Sequence, residues 1–301
     1  MKKQKILVTG ISGQIGRFLS RELVLRKKNF LGLDFRTSEN LEFEILKIPL
    51  TEKNILLKNK KKFKDIDTLI HLASKIDVEP NILKSGKSSI EQNIFGILNL
   101  LEILPNLEHI SYTSTYMVYG TPQKKIIKEN HPTNPNNVYG ASKLATEKFL
   151  QIFSEQNDVK LSILRLMGVY DLENPYNQAI PSFIKLIANN KRPVIYGDGN
   201  TKRNHIHITD VIDAILQSVK IKKHGIFNIG GPNSPSNLEL VEIINQKFDK
   251  KIAPIFKKTR EKQYDFITDI SPAKKELDFY PKIGINQGIE RTVKRFQNFG
   301  W

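Results

Sequence analysis

A chain of 301 residues that is 39% hydrophobic and 26% charged can bury a sizeable core, as one large domain or two intimately packed ones. The absence of cysteine excludes a disulfide framework, a thiolate metal site and a thiol nucleophile, and fits a reducing cytosol. A formal charge of +16 favours a small anionic ligand such as a nucleotide diphosphate; the densest basic run, KNKKKFK (58–64), carries no nucleic-acid signature and is expected to be a solvated helix end.

At the N-terminus MKKQK leads into ILVTGISG, whose glycines and polar residues interrupt the apolar run before a secretory segment or membrane span forms. A cytoplasmic protein without membrane or nucleic-acid contact is expected. KILVTG (5–10) predicts a buried strand, IGRFLSRELVLRK a helix, NFLGLDF (29–35) and DTLIHLAS (67–74) strands, IEQNIFGILNLLEIL a long helix and EHISYTST (108–115) a strand. That order predicts parallel strands joined by crossover helices, an α/β protein with a Rossmann-type doubly wound sheet. A further helix is predicted from near Tyr139 and a strand over KLSILRL (160–166). Beyond it ENPYNQAIP, IYGDGN and GGPNSPSN punctuate short elements, as in a smaller α/β substrate domain assembled from interleaved pieces. The expected division is a cofactor domain over 1–165, to which 205–228 returns, and a substrate domain over 166–301, mainly 166–204 and 229–301.

The segment GISGQIG places Gly10, Gly13 and Gly16 between a buried strand and a helix. Such spacing asks the backbone for a tight turn, close approach of a pyrophosphate and an exposed helix N-terminus. Three glycines alone are a turn as often as a cofactor loop. Asp34, 24 residues after Gly10 at the end of the next strand, improves the case: an acid there accepts the adenosine ribose hydroxyls and repels a 2'-phosphate. NAD is therefore expected, with Arg36 nearby leaving NADP open.

In VYGASK, Tyr139 and Lys143 are four residues apart and share one helical face. A Lys ammonium beside a Tyr hydroxyl favours the phenolate, turning a group of ordinary pKa about 10 into a base near neutral pH. The same Lys can hold the nicotinamide ribose.

With these motifs in place, the chain resembles the extended short-chain dehydrogenase/reductases, and among them the NAD-dependent nucleotide-sugar epimerases and dehydratases, similar to UDP-glucose 4-epimerases. The resemblance runs through VTGISGQIG, LIHLAS, NIFGILNLLE, TSTYMVYG, NPNNVYGASKLATEKFL, LRLMGVY, IPSFI, IYGDGNTKRNHIHITDV, FNIGG and DISPAKKELDFYP. It implies a catalytic set of Thr115, Tyr139 and Lys143, with Ser114 beside Thr115 at the substrate. It further implies that Gln14 and Ile15 supply amides to the pyrophosphate, that Leu72 and Ala73 border the adenosine half, and that Asn93 steadies the cofactor loops. For the sugar nucleotide it implies Tyr196 against the base and Arg203 and Arg260 on the diphosphate, Arg being suited to that by its forked donors. His71 is expected to be a packed strand-end histidine; no metal is expected. A homodimer is implied, through the helices starting near Ile90 and Tyr139.

Departures from the family pattern carry information too. Tyr116 and Met117 occupy the positions where the 4,6-dehydratases carry a pair including a Glu, and Met has no titratable proton, which argues against dehydration and decarboxylation. Pro49 replaces an Asp that bonds the adenine, Gly168 an Asn near the substrate phosphates, and Asn204 an Asp after the Arg, while Asp171 interrupts the usual sequence after VY. The expectation is a nucleotide-sugar epimerase acting at carbon 4 through a keto sugar. The alternative is an NAD(P)H-dependent 4-keto-sugar reductase, and beyond it a dehydratase or a non-catalytic NAD-binding protein.

Overall fold

The computed structural model describes residues 4–36, 43–77, 82–171, 178–259 and 262–299. In the cofactor half the elements run β1 (Ile6–Thr9), α1 (Gln14–Leu25), β2 (Phe30–Asp34), β3 (Ile45–Lys47), α2 (Lys53–Lys58), β4 (Thr68–His71), α3 (Ile82–Ile90), α4 (Gly96–Leu101), β5 (His109–Thr115), β6 (Ile126–Ile127), α5 (Val138–Asn157) and β7 (Lys160–Leu166). Then follow β8 (Gly168–Tyr170), α6 (Ala179–Ala188), β9 (Val194–Tyr196), β10 (His205–His207), α7 (Ile208–Ile221), β11 (Gly225–Ile229), α8 (Asn237–Phe248), β12 (Ile255–Lys257), β13 (Ile267–Thr268), α9 (Ser271–Leu277) and α10 (Ile285–Phe299).

Seven strands pair in parallel in the order β3-β2-β1-β4-β5-β7-β11. Strands β1, β4 and β5 are buried along their whole length, which is why they appear as unbroken apolar or small-residue runs rather than alternating ones. The chain winds outward in both directions from β1 and β4, so a crevice opens at their carboxyl ends. Register decides what reaches that crevice. His71, the last residue of β4, pairs with Tyr112, whereas β5 runs on through Thr113, Ser114 and Thr115, still paired to β7. Its last three hydroxyls therefore project beyond the end of β4.

Two apolar clusters cover the faces of the sheet, one including Leu19, Leu23, Val211 and Ile215, the other Ile97, Leu100 and Leu150. A third core forms apart from them, where α6, α8 and α10 bring together Ile184, Ile187, Leu240, Ile244 and Ile289 around Tyr170. Among the described residues the small region forms only short pairings: β8 pairs with β10, β9 with β12 and β6 with β13, each as a two-stranded parallel ribbon.

Strand β11 takes the outer edge beside β7, and α7 packs on α1 and β5. The sequence boundary at 229 is crossed a second time. Phe266, Ala273, Leu277 and Phe279 pack into the core beside Phe227 and Ile229, so part of the expected substrate segment covers the sheet. The helix expected from Ile90 starts at Ile82 and passes through one π-helical turn, Glu91–Phe95, before continuing as α4.

Candidate active site

A cleft of about 590 Å³ lies at the carboxyl ends of the central strands. Its walls include Gly10, Gly13, Gln14, Ile15, Gly16, Asp34, Leu72, Ala73, Tyr139 and Lys143, so the glycine turn, the acidic strand end and the Tyr–Lys helix meet in one space. Gly10 has φ +69°, and a Cβ there would stand 2.6 Å from the Ala73 nitrogen; both conformation and the crossing chain require glycine. At Gly16 a Cβ would come within 2.3 Å of the Gly10 carbonyl oxygen, so the first turn of α1 lies directly on the loop. Gly13 caps α1 without a side-chain hydrogen bond, leaving the helix amides to face a ligand. The Asp34 carboxylate accepts from the Ser12 and Arg36 amides at 2.9 and 3.1 Å. The Arg36 guanidinium lies over the Phe35 ring, 4.8 Å from its centroid. A dinucleotide fits this cradle of glycines, open helix amides and strand-end carboxylate. The wall beyond Asp34 is Ile48, Pro49, Leu50 and Thr51, with Pro49 at the departure noted above.

The far end of the cleft holds the Tyr139 and Lys143 side chains. Asn137 caps α5 by accepting from the Gly140 amide at 2.8 Å, which fixes the turn that carries Tyr139. A Cβ at Gly140 would be 2.6 Å from the Met117 carbonyl oxygen, so α5 meets the turn after β5 backbone to backbone. Thr115 Oγ1 accepts from the Met117 amide at 3.3 Å, a bond that uses a lone pair and leaves its proton for another acceptor. On β5 the cleft wall is Thr113 and Ser114. Asn93 is buried in the π-helical turn; its amide donates to the Lys75 carbonyl and Ser142 Oγ, and its oxygen accepts from the Lys75 amide at 2.7 Å. It thereby joins the loop after β4 to α5.

Lys143 is 2% exposed, with its Nζ 4.2 Å from the centroid of the Tyr112 ring. Burial pushes its pKa down to about 7, and the carboxylate of Glu147 opposes that fall. His71 is packed at the end of β4, its Nδ1 2.8 Å from Thr9 Oγ1, and burial with the nearby Lys143 lowers its pKa to about 3, so it stays neutral.

Ser114, in the cleft wall, donates its hydroxyl to Glu147 Oε1 at 2.5 Å. Arg165 donates to both oxygens of the same carboxylate, at 3.1 and 2.7 Å, and to the Glu129 carbonyl. Its guanidinium lies 4.8 Å from the centroid of Tyr119. Neither Glu147 nor Arg165 was among the expected site residues, although a lone arginine inside the apolar strand SILRL and a Glu one turn beyond Lys143 both signal a buried pair.

Substrate-side residues do not gather as tightly. Tyr196 ends β9 and is 59% exposed; Arg203 is exposed and bridges to Phe266; neither lines the cleft. Arg260 lies outside the described residues. Phe266 in turn packs edge-on against Tyr116 at 4.9 Å, which links the turn after β5 to the Arg203 segment. Asn204 is buried, accepting from the Thr268 amide at 2.7 Å and donating to Ser234 Oγ at 2.9 Å. Asp171 accepts from Arg295 of α10 at 2.7 Å. Among the described residues no three His, Asp or Glu side chains converge as a metal site, and no helix is long and apolar enough to cross a membrane.

Strand order, glycine cradle and a Tyr–Lys pair opening into it define a dinucleotide-dependent oxidoreductase of the Rossmann class. The chain belongs to the NAD dependent epimerase/dehydratase family, whose model matches residues 6–230, and its cofactor is NAD. It is 32% identical over 97% of its length to a Methanocaldococcus jannaschii protein provisionally named as a UDP-glucose 4-epimerase, covering 98% of that protein. It is 28% identical to human dTDP-D-glucose 4,6-dehydratase, over 98% of this chain and 91% of that one. The solved structure of UDP-N-acetylglucosamine 4-epimerase from Methanobrevibacter ruminantium M1, in complex with UDP-N-acetylmuramic acid, superposes with a TM-score of 0.88 at 26% identity, over 99% of both chains. The protein is thus an enzyme of the NAD-dependent nucleotide-sugar epimerase/dehydratase class.

Proposed function

We propose that the protein is a cytoplasmic nucleotide-sugar 4-epimerase with Tyr139 as its proton-transfer group. The observation that carries this is the placement of Tyr139 and Lys143 on one buried face of α5, opening into the glycine-lined cleft, beside a turn whose Tyr116 and Met117 offer no carboxylate. Tyr139 takes the proton from the 4-hydroxyl of the sugar and later returns one to the same oxygen. Thr115 donates its free hydroxyl proton to that oxygen, holding it while its charge changes. Lys143, as an ammonium, favours the Tyr139 phenolate and binds the nicotinamide ribose. Bound NAD supplies reversible hydride acceptance. Gly10, Gly13, Gln14, Ile15 and Gly16 hold its pyrophosphate, Asp34 its adenosine ribose, and Leu72 and Ala73 the wall between; Asn93 keeps that wall against α5. On the substrate side Arg203 and Arg260 take the diphosphate and Tyr196 the base.

The same proposal includes a homodimer. Ile82, Leu83, Ile90 and Phe95 on the α3–α4 helix and Phe149 and Ile152 on α5 are exposed apolar side chains on two helices that pack together.

The test is turnover by purified protein incubated with a panel of nucleotide sugars and no added cofactor, after heat release has quantified bound NAD. Interconversion of 4-epimers supports the epimerase. A strict need for added NADH or NADPH refutes it in favour of the ketoreductase.

A further inference from the structure

Glu147 has no place in the cleft, yet it touches both halves of the reacting centre. It stands two helical turns beyond Tyr139 and one beyond Lys143, so the three share a stripe of α5. Its side chain is fully buried, as are those of its partners Ser114 and Arg165. Ser114 is the residue before Thr115, so the Ser114–Glu147 hydrogen bond ties the strand end that presents the Thr115 hydroxyl to the helix that presents Tyr139.

The charged surroundings of Lys143 are sparse. From the sheet it faces Tyr112 of β5 and His71 of β4, both neutral near pH 7. Arg165 reaches Glu147 from β7, and its positive charge is met by both carboxylate oxygens. The turn after β5 brings Tyr116 and Tyr119, engaged with Phe266 and Arg165. On the helix packed alongside, Lys87 and Glu91 point to solvent, and Lys75 in the loop after β4 is bonded to Ser88 Oγ at 2.8 Å. Among the described residues, Glu147 is therefore the buried anion that acts on Lys143. Its field works against the desolvation that drives a buried ammonium to lose its proton.

We propose that Glu147 is a positioning residue of the hydride-transfer centre: from behind the cleft its carboxylate is the buried counter-charge one helical turn from Lys143 and clamps the Thr115 strand end onto the Tyr139 helix. It rests on Tyr139 and Lys143 being the reacting pair. The bidentate Arg165 bond orients the carboxylate, so the buried pair serves the neighbouring lysine as well as the core.

The experiment follows the titration of the Lys143 side chain by NMR in the NAD-free protein, assigned with Lys143→Arg, and the pH dependence of NAD affinity. In Glu147→Gln the lysine midpoint is expected to fall by about one unit, the size of losing a nearby opposite charge. NAD affinity one pH unit above the parent midpoint then weakens several-fold. Glu147→Gln leaves Arg165 without its counter-ion, so Glu147→Gln/Arg165→Met is made in parallel. The double variant restores packing without a buried unpaired charge, and its thermal stability is expected to recover while the lysine midpoint stays low. A double variant in which stability and lysine midpoint both return to the parent values overturns the proposal, leaving Glu147 a core ion pair. The titration needs no substrate, and Tyr139→Phe judges the epimerase assignment separately.

Discussion

The cofactor end of this molecule and the smaller region proposed to hold the sugar are built by different means. At the cofactor end one parallel sheet brings the ends of β1, β2, β4 and β5 to a common edge, and a single cleft collects the glycine loop, Asp34, Ala73 and Lys143. In the smaller region, among the described residues, three two-stranded ribbons and a three-helix core leave Tyr196 and Arg203 on exposed positions. Where register along a wide sheet sets the geometry, the site is rigid and shared by many chemistries; where short ribbons set it, side chains are free to change with the substrate.

Substitutions can break that contrast or sharpen it. The largest effect is expected from Tyr139→Phe, which removes the proton-transfer group and lowers kcat by about 10²–10⁴-fold while NAD, titrated calorimetrically, still binds. Unchanged turnover would remove Tyr139 from the mechanism. Gly16→Val comes next: no side chain fits 2.3 Å from the Gly10 carbonyl, so NAD binding is lost and the melting temperature falls. A variant that still bound NAD would show the cradle to be less rigid than described. Arg203→Gln is expected to weaken UDP binding by about tenfold, in line with a charge-assisted contact of about 1.5–3 kcal/mol, and to leave NAD affinity unaltered.

Smaller still are the effects of pH. Because burial holds the Lys143 pKa near 7 in the free protein, kcat/KM is expected to decline as pH rises through that value and the ammonium is lost. A profile flat to pH 9 would contradict the role given to Lys143. Buried His71 and His109 have folded pKa values near 3, below the unfolded value of 6.5. The unfolded chain therefore binds more protons below pH 6.5, and stability is expected to fall from there toward pH 3, by up to about 1.4 kcal/mol per pH unit for each histidine. Urea midpoints at pH 7 and 5 test this, and Gln at either position should flatten the slope if it folds.

Much of this was legible in the sequence because backbone demands leave strong marks. Buried parallel strands give continuous apolar runs, a phosphate turn needs its glycines, and Tyr139 and Lys143, a commonplace spacing in isolation, stand out by the company of those motifs. The start of α3 was hidden because ILKSGKSSI carries a glycine and three serines where an apolar stripe would announce a helix. The ribbons were hidden for a different reason: β9 pairs with β12 across about 60 residues of chain, over three residues each, and nothing local to either strand specifies that pairing. The Glu147–Arg165 pair that receives the Ser114 hydroxyl was hidden too, since only the packing of β5, β7 and α5 brings it together.

The contact between Gly140 and the Met117 carbonyl has a further consequence. The phenol-bearing helix approaches the hydroxyl-bearing turn at a glycine, with the Gly140 backbone against the Met117 carbonyl, and the side-chain tie between strand and helix, Ser114 to Glu147, is buried, so in the proposed site the separation of Tyr139 and Thr115 does not depend on the exposed side chains at Tyr196 and Arg203. Under the proposed assignment, point mutation around β9, β12 and the Arg203 segment can change what sugar is recognised while Tyr139 and Thr115 keep their spacing.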